Sequence, residues 1–178
     1  MELFALAKSE LLNSNADRHH PFRYFSLGTI SDYPEVRMVV KRKVEQDLTL
    51  TFFTDTRSPK VKQIQQNGRV SALFYHPEKK LQIRMNGEAQ LLAAEEVTLQ
   101  QFLRQIKQST SLKDYMTVNA PGSALEEEAK VLFGSQVHFS AITIKPVYID
   151  VLQLGIEGHL RSAYSLVEGS WSELKMVP

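Results

Sequence analysis

Four cations fall within the seven residues Arg37-Met38-Val39-Val40-Lys41-Arg42-Lys43. On a strand, such a run either solvates an edge and discourages edge-to-edge pairing, or collects an anion. A second cluster, Phe53-Thr54-Asp55-Thr56-Arg57-Ser58-Pro59-Lys60, favours the anion. Ser58 reads as an N-cap and Pro59 as the first residue of a helix that Gly68 stops. Cations in a first helical turn with no acid beside them are unfavourable by a few tenths to about 1 kcal/mol. A phosphate at that terminus reverses the sign, because free N–H groups and the positive end of the helix dipole face it. Its ligands here would be Thr54, Arg57, Ser58 and Lys60. The third piece is the strand Leu81-Gln82-Ile83-Arg84-Met85. The Gln82 amide offers both a donor and an acceptor to the edge of a heterocycle, or simply faces water.

Arg37 and Arg42 are an odd number of residues apart and belong on opposite faces of a regular strand. A bulge, a strand-end position or contacts from two subunits would each reconcile them with one ligand. Further on, His159 and Arg161 are two apart and share a strand face, which suits an anionic or carbonyl substrate or an exposed polar face. His19-His20 and His76, beside Pro77, read as solvated loop residues, His138 as structural, and Trp171 as a core or interface anchor. No carboxylate and histidine spacing marks a metal site, and no Ser-His-Asp set is arguable. The chain has no cysteine, which removes thiolate chemistry and accords with a reducing compartment.

The elements that must position these residues follow from periodicity. Residues 1–12 have helical spacing. Residues 22–30, 36–44 and 48–54 read as strands of a meander, 58–68 as a short helix, and 70–75 and 81–92 as two more strands. The pattern is helical over 93–133 with a break near 119–123, then strand-like over 137–144, 147–152, 159–165 and 170–176. The 178 residues, with 43% apolar and 23% charged, suit one globular domain, and a net charge of +1 weighs against a nucleic-acid binder. No apolar run approaches the roughly 20 residues that cross a bilayer, and no leader features open the chain, so a cytoplasmic protein without membrane contact is expected. Many short strands with a few helices favour an α+β barrel.

Together, in this order and spacing, residues 36–91 resemble the FMN-binding core of the pyridoxamine 5'-phosphate oxidase-like flavoproteins, and the last 30 residues do so more loosely. The resemblance implies an antiparallel split β-barrel with peripheral helices over 1–178, forming a homodimer with FMN at the subunit interface. It implies that Arg37, Met38, Val39, Val40 and Arg42 line the flavin and its phosphate tail. Phe53-Thr54 match the family's aromatic-Thr pair, Ser58 and Lys60 its Ser and Lys before the helix, and Gln82 its strand Gln. Pro59 stands where the family has Arg, and Arg57 would be a shifted substitute. At the C-terminal end Leu152 stands where the oxidases carry Trp, His159-Leu160-Arg161 where they carry Arg-x-His, and Ala163 where they carry Arg. Pyridoxamine 5'-phosphate is therefore not the expected substrate. The implied function is an FMN-dependent oxidoreductase acting on an unidentified small molecule; the alternative is a non-catalytic flavin-binding or flavin-sensing module. A basic barrel that binds nucleic acid through residues 37–43, Tyr24, Phe25 and Tyr75 ranks third, against the flat charge.

Overall fold

In strands β1 (Tyr24–Ile30), β4 (Arg69–His76) and β5 (Leu81–Leu91), alternate side chains are buried, the period-two signature of a sheet with one dry face. The computed structural model describes residues 2–125, 130–156 and 158–178. Strands β2 (Pro34–Val44), β3 (Leu50–Asp55) and β6 (Phe139–Gln153) join the three in the order β3-β2-β1-β4-β5-β6, and antiparallel pairing of β3 with β6 closes a six-stranded barrel. Strands β7 (Leu160–Val167) and β8 (Ser170–Lys175) extend the sheet beyond β6. The α+β barrel with peripheral helices is as the sequence implied.

Phe25 stacks on Phe74 at 5.1 Å and meets Phe52 edge-on at 5.9 Å in the barrel core. Leu27, Ile83, Met85, Ile142 and Ile144 complete it. Helix α1 (Glu2–Asn13) buries Leu3, Ala7 and Leu11 and sets Phe4 between Tyr164 and Trp171. Trp171 thus anchors α1 to the β7–β8 ribbon. Helix α2 (Pro59–Gln66) follows β3, and α3 (Val97–Lys107) follows β5. Among the described residues no helix is long and apolar enough to cross a membrane.

Several boundaries differ from the sequence reading. Phe22 and Arg23 are not in the first strand but in a 3-10 turn, Pro21–Arg23, where His20 Nδ1 accepts the Phe22 N–H at 3.0 Å. Residues 137–152 hold one strand, not two: β6 runs through Pro146 because a bulge sets Asn86 opposite Tyr148 and Gly87 opposite Pro146, leaving Val147 as the extra residue. A bulge is where a sheet tolerates proline. Gly87 makes the close approach possible, since a Cβ there would lie 2.3 Å from the Lys145 carbonyl oxygen. The helical pattern over 93–133 yields α3 and a 3-10 turn, Thr110–Tyr115. The described remainder is irregular apart from a bridge between Thr117 and Phe133, and residues 126–129 lie outside the described set.

Candidate functional site

Strand β3 delivers Thr54 to the start of α2, and the turn after it returns Ser58 to the same point. The Thr54 and Ser58 hydroxyls lie 2.9 Å apart, and Lys60 Nζ donates to Thr54 Oγ1 at 3.3 Å. Ser58 occupies the N-cap position without capping α2, whose first turn contains no acid. From β2, Arg37 reaches the buried face of the same helix: it donates to Gln63 Oε1 at 3.2 Å, to Thr29 Oγ1, and to Glu35 Oε2 at 2.7 Å. Burial first, and then the Arg37 charge, holds the Lys60 ammonium below the usual lysine range. Two cations and two hydroxyls therefore share a corner at a helix N-terminus, and among the described residues Lys60 has no carboxylate partner.

Arg57 does not join it. Asp55, two residues earlier and buried, captures the guanidinium through Nε at 3.1 Å and Nη2 at 2.7 Å, while Nη1 and Nη2 donate to the Val118 and Thr117 carbonyls at 2.9 Å. The hydrogen bonds it donates to Asp55 hold Arg57 in the charged form more firmly than usual. Arg57 pins residues 117–118 instead of replacing the arginine displaced by Pro59.

Arg42 sits where the β2–β3 register slips between Lys41 and Lys43, so the bulge among the sequence alternatives is real. Its outcome is separation: Arg37 turns to α2, whereas Arg42 lies over the Phe53 ring at 5.1 Å, beside Tyr115. Its buried Nε has no hydrogen-bond partner among the described residues. Phe53 packs on Phe102 of α3 and on Phe139. Between Arg37 and Arg42, Val39 packs against the core, while Met38 and Val40 face outward. Below Arg42, Lys41 is buried with no carboxylate in reach among the described residues; its ammonium donates to the Ser14 carbonyl and Asn15 Oδ1, and burial and then Arg23 lower its pKa to about 8.

Gln82 lies on the outer face of β5, paired with Tyr75 and Leu152. Three inter-strand steps separate it from β2, about 14 Å at the usual spacing of just under 5 Å. Leu152 in turn pairs with Arg161, so Gln82, Leu152 and Arg161 form one cross-strand row. His159 precedes β7 and accepts the Gly155 N–H at 3.3 Å. It lines a cavity of about 420 Å³ with Arg161, but the Arg161 guanidinium is occupied. Buried Asp150 takes its Nε at 3.1 Å and Nη2 at 2.8 Å, along with Arg84 Nη2 at 2.8 Å. The Arg161 hydrogen bond, against burial and with help from Arg84, holds the Asp150 carboxyl below its ordinary value.

Sequence reasoning missed Thr29, Glu35 and Gln63, the partners of Arg37; only Gln63 carried a signal, in the spacing of α2. It also missed that His20 and His76 are buried, not solvated. Both imidazoles point Nε2 at Glu10 Oε2, at 3.4 and 3.7 Å. The three ligand atoms lie within 4.8 Å of one another, as in a metal site. However, each Nδ1 accepts a backbone N–H, from Phe22 and from Lys79. In a neutral imidazole the proton then sits on Nε2, so hydrogens and not lone pairs face the centre, and Glu10 also takes the Lys79 ammonium.

The model of the family described as pyridoxamine 5'-phosphate oxidase, FMN-binding domain, matches residues 5–93, which contain every cofactor residue read from the sequence. A pyridoxine/pyridoxamine 5'-phosphate oxidase of Aliarcobacter butzleri is 31% identical over 169 residues, covering 86% of this chain and 79% of the relative. One of Wolbachia pipientis is 28% identical over 99% of this chain and 87% of its own. Among solved structures, a pyridoxamine 5'-phosphate oxidase-related, FMN-binding protein of Nostoc punctiforme superposes with a TM-score of 0.76 at 26% identity, over 98% of this chain and 97% of that one. PhzG of Burkholderia lata, in complex with tetrahydrophenazine-1-carboxylic acid, has the same fold, with a TM-score of 0.76 at 18% identity. With a barrel closed by β3 and β6, two hydroxyls and two cations gathered at the start of α2 and half the chain matched directly, this protein belongs to the pyridoxamine 5'-phosphate oxidase family and carries its FMN-binding domain.

Proposed function

We propose that the chain is an FMN-dependent oxidoreductase that works as a homodimer with FMN at the subunit interface. The observation that carries this reading is the corner of Arg37, Thr54, Ser58 and Lys60, whose donors fit a phosphate monoester and whose Lys60 has no carboxylate partner among the described residues. Arg37 and Lys60 would hold the phosphate, Thr54 and Ser58 would donate hydroxyl hydrogens to it, and Met38 and Val40 would border the ring. Bound FMN supplies the redox chemistry; the chain supplies grip, orientation and field. That division of labour accords with the lack of an acid-base constellation at the corner.

The dimer has two supports. Gln82 is three inter-strand steps from β2 in the same chain, so a flavin seated at the corner meets a Gln82 most readily on a second chain. The outer face of β2, β1 and β4 also exposes Val36, Met38 and Tyr75, at 70%, 63% and 52%, an apolar surface that suits a two-fold contact.

A flavin-binding module without turnover is the alternative. It is favoured by the pairing of Arg161 with Asp150, which ties up the cation at the substrate end. The visible spectrum of the purified protein separates the two: FMN bands that bleach with NADH or NADPH and return in air support the oxidoreductase, bands that stay oxidised support the module, and failure to bind FMN removes both.

A further inference from the structure

A small cavity of about 140 Å³ lies where the loop after α1 meets the C-terminal half of β2, and every residue that lines it is polar. Arg18, Arg23 and Lys41 bring three cations to it against one acid, Asp17. Asp17 serves its own turn, where Oδ1 accepts the His19 N–H at 2.8 Å, and among the described residues it pairs with none of the three cations. Neither the Arg18 nor the Arg23 guanidinium has a hydrogen-bond acceptor among the described residues; that of Arg23 lies over the Tyr24 ring at 5.9 Å. Lys41 is 5% exposed. Its ammonium has three N–H groups, and its partners are two neutral oxygens, the Ser14 carbonyl at 3.2 Å and Asn15 Oδ1 at 3.0 Å. Asn15 is fixed in turn by Val44, whose N–H it accepts at 2.9 Å and to whose carbonyl it donates at 2.8 Å. Arg42 also borders the cavity, but its guanidinium lies over Phe53 beside Tyr115.

A buried ammonium with only neutral acceptors is unfavourable, and a guanidinium beside it adds repulsion. Burial, and then the Arg23 charge, bring the Lys41 pKa down to about 8. An anion in the cavity would offset both effects. Two guanidinium forks and one ammonium N–H supply more donors than the two oxygens of a carboxylate can use, and suit a tetrahedral oxyanion with a charge of about −2. The volume limits the rest of the ligand: at roughly 30 Å³ per water, the space equals that of about four or five water molecules, enough for the oxyanion but not for a ring system behind it. The α2 corner is a different place, because Arg37 lies four residues earlier on β2, about 13 Å away at the usual strand rise, and turns to Gln63 of α2. We infer that the cavity between the α1–β1 loop and β2 is a separate anion site, which takes a phosphate or sulfate group through Arg18, Arg23 and Lys41. The assignment does not rest on the flavin reading above.

The test is isothermal titration of FMN-loaded protein, in which the α2 corner is filled, with sodium phosphate, sodium sulfate, glycerol 3-phosphate and sodium acetate at matched ionic strength. Phosphate and sulfate should each saturate one site per chain with a Kd of about 1 mM or lower, and acetate should bind at least roughly tenfold more weakly, since it makes fewer charge-assisted hydrogen bonds. Glycerol 3-phosphate separates the sources: affinity equal to that of phosphate supports the site as one for the end group of a metabolite, and weaker binding supports it as one for the free ion. Arg23→Gln should weaken sulfate binding by roughly tenfold or more, as loss of a hydrogen bond from a charged group does. Lys43→Gln removes the same charge from β2, but Lys43 pairs with Glu45 outside this cavity, so sulfate affinity should stay within about twofold. No saturable phosphate or sulfate binding, acetate binding as tight as sulfate, or equal losses in the two variants overturns the inference. Should the chain take no FMN, the flavin reading fails by itself, and the same titrations of flavin-free Lys60→Met protein, with its α2 corner disabled, decide this site by the same criteria.

Discussion

Lys60→Met should move ligand affinity and protein stability in opposite directions. The ammonium donates to Thr54 Oγ1 at 3.3 Å and is held below its usual pKa by burial and by Arg37, so in the protein without flavin it is a cation under strain. Methionine keeps the stem and removes the charge. Losing a hydrogen bond to a charged group costs about 1.5–3 kcal/mol, which is roughly a 10- to 150-fold rise in the Kd for FMN. Relieving a desolvated, like-charged contact should stabilise the flavin-free protein by about 0.5–1 kcal/mol, a rise in Tm of about 1–4 °C for a chain of this size. Flavin fluorescence quenching on titration gives the first quantity and calorimetry of the flavin-stripped protein the second. An FMN affinity within threefold of the original would refute the phosphate assignment. A Tm that falls together with affinity would show that Lys60 acts through folding and not through a ligand.

Other expectations follow from buried groups and from the bulge. Lys41 has its pKa lowered to about 8, so between about pH 8 and the unfolded value near 10.4 the unfolded chain holds more protons than the folded one. Stability from this residue therefore rises with pH across that window, and urea titrations of Lys41→Met should lack the slope. The cluster at Glu10 behaves as an acid-labile clasp on α1. Burial opposes Glu10 ionisation, but Lys79 and then His20 outweigh it and lower its pKa, while burial keeps His20 below its usual value. Both depressed values mean that the unfolded state takes up protons as pH falls, so stability drops below about 6.5 for His20 and further below about 4.5 for Glu10; the Tm of His20→Gln should fall less between pH 7 and 5. Gly87→Ala sets a Cβ 2.3 Å from the Lys145 carbonyl oxygen and should cost about 1–3 kcal/mol or more by overpacking, read as a shift in urea midpoint. Val36→Glu places a charge on the exposed apolar face and should convert the proposed dimer to monomer in sedimentation velocity, with monomer stability altered by no more than about 0.5 kcal/mol.

Short-range patterns on the chain determined the local elements. Period-two burial placed β1, β4 and β5, and the Ser58-Pro59 start placed α2, because each depends on neighbours within a few residues. The run from Arg37 to Lys60 carried enough of the corner for its hydroxyls and cations to be grouped in advance, since Thr54, Ser58 and Lys60 are close in sequence and β2 can reach them through a single turn. What tertiary structure decided was the fate of each charge. Arg57, held by its sequence neighbour Asp55, is turned to the distant carbonyls of Thr117 and Val118, Asp150 claims Arg161 from a different strand, and the slip at Lys41–Lys43 parts Arg42 from Arg37. Glu10, His20 and His76 are spread over 67 residues and meet only because α1 folds across the end of β4. A cation's availability depends on whether an acid from a distant element lies within about 4 Å, and a sequence read in short windows holds no record of that distance.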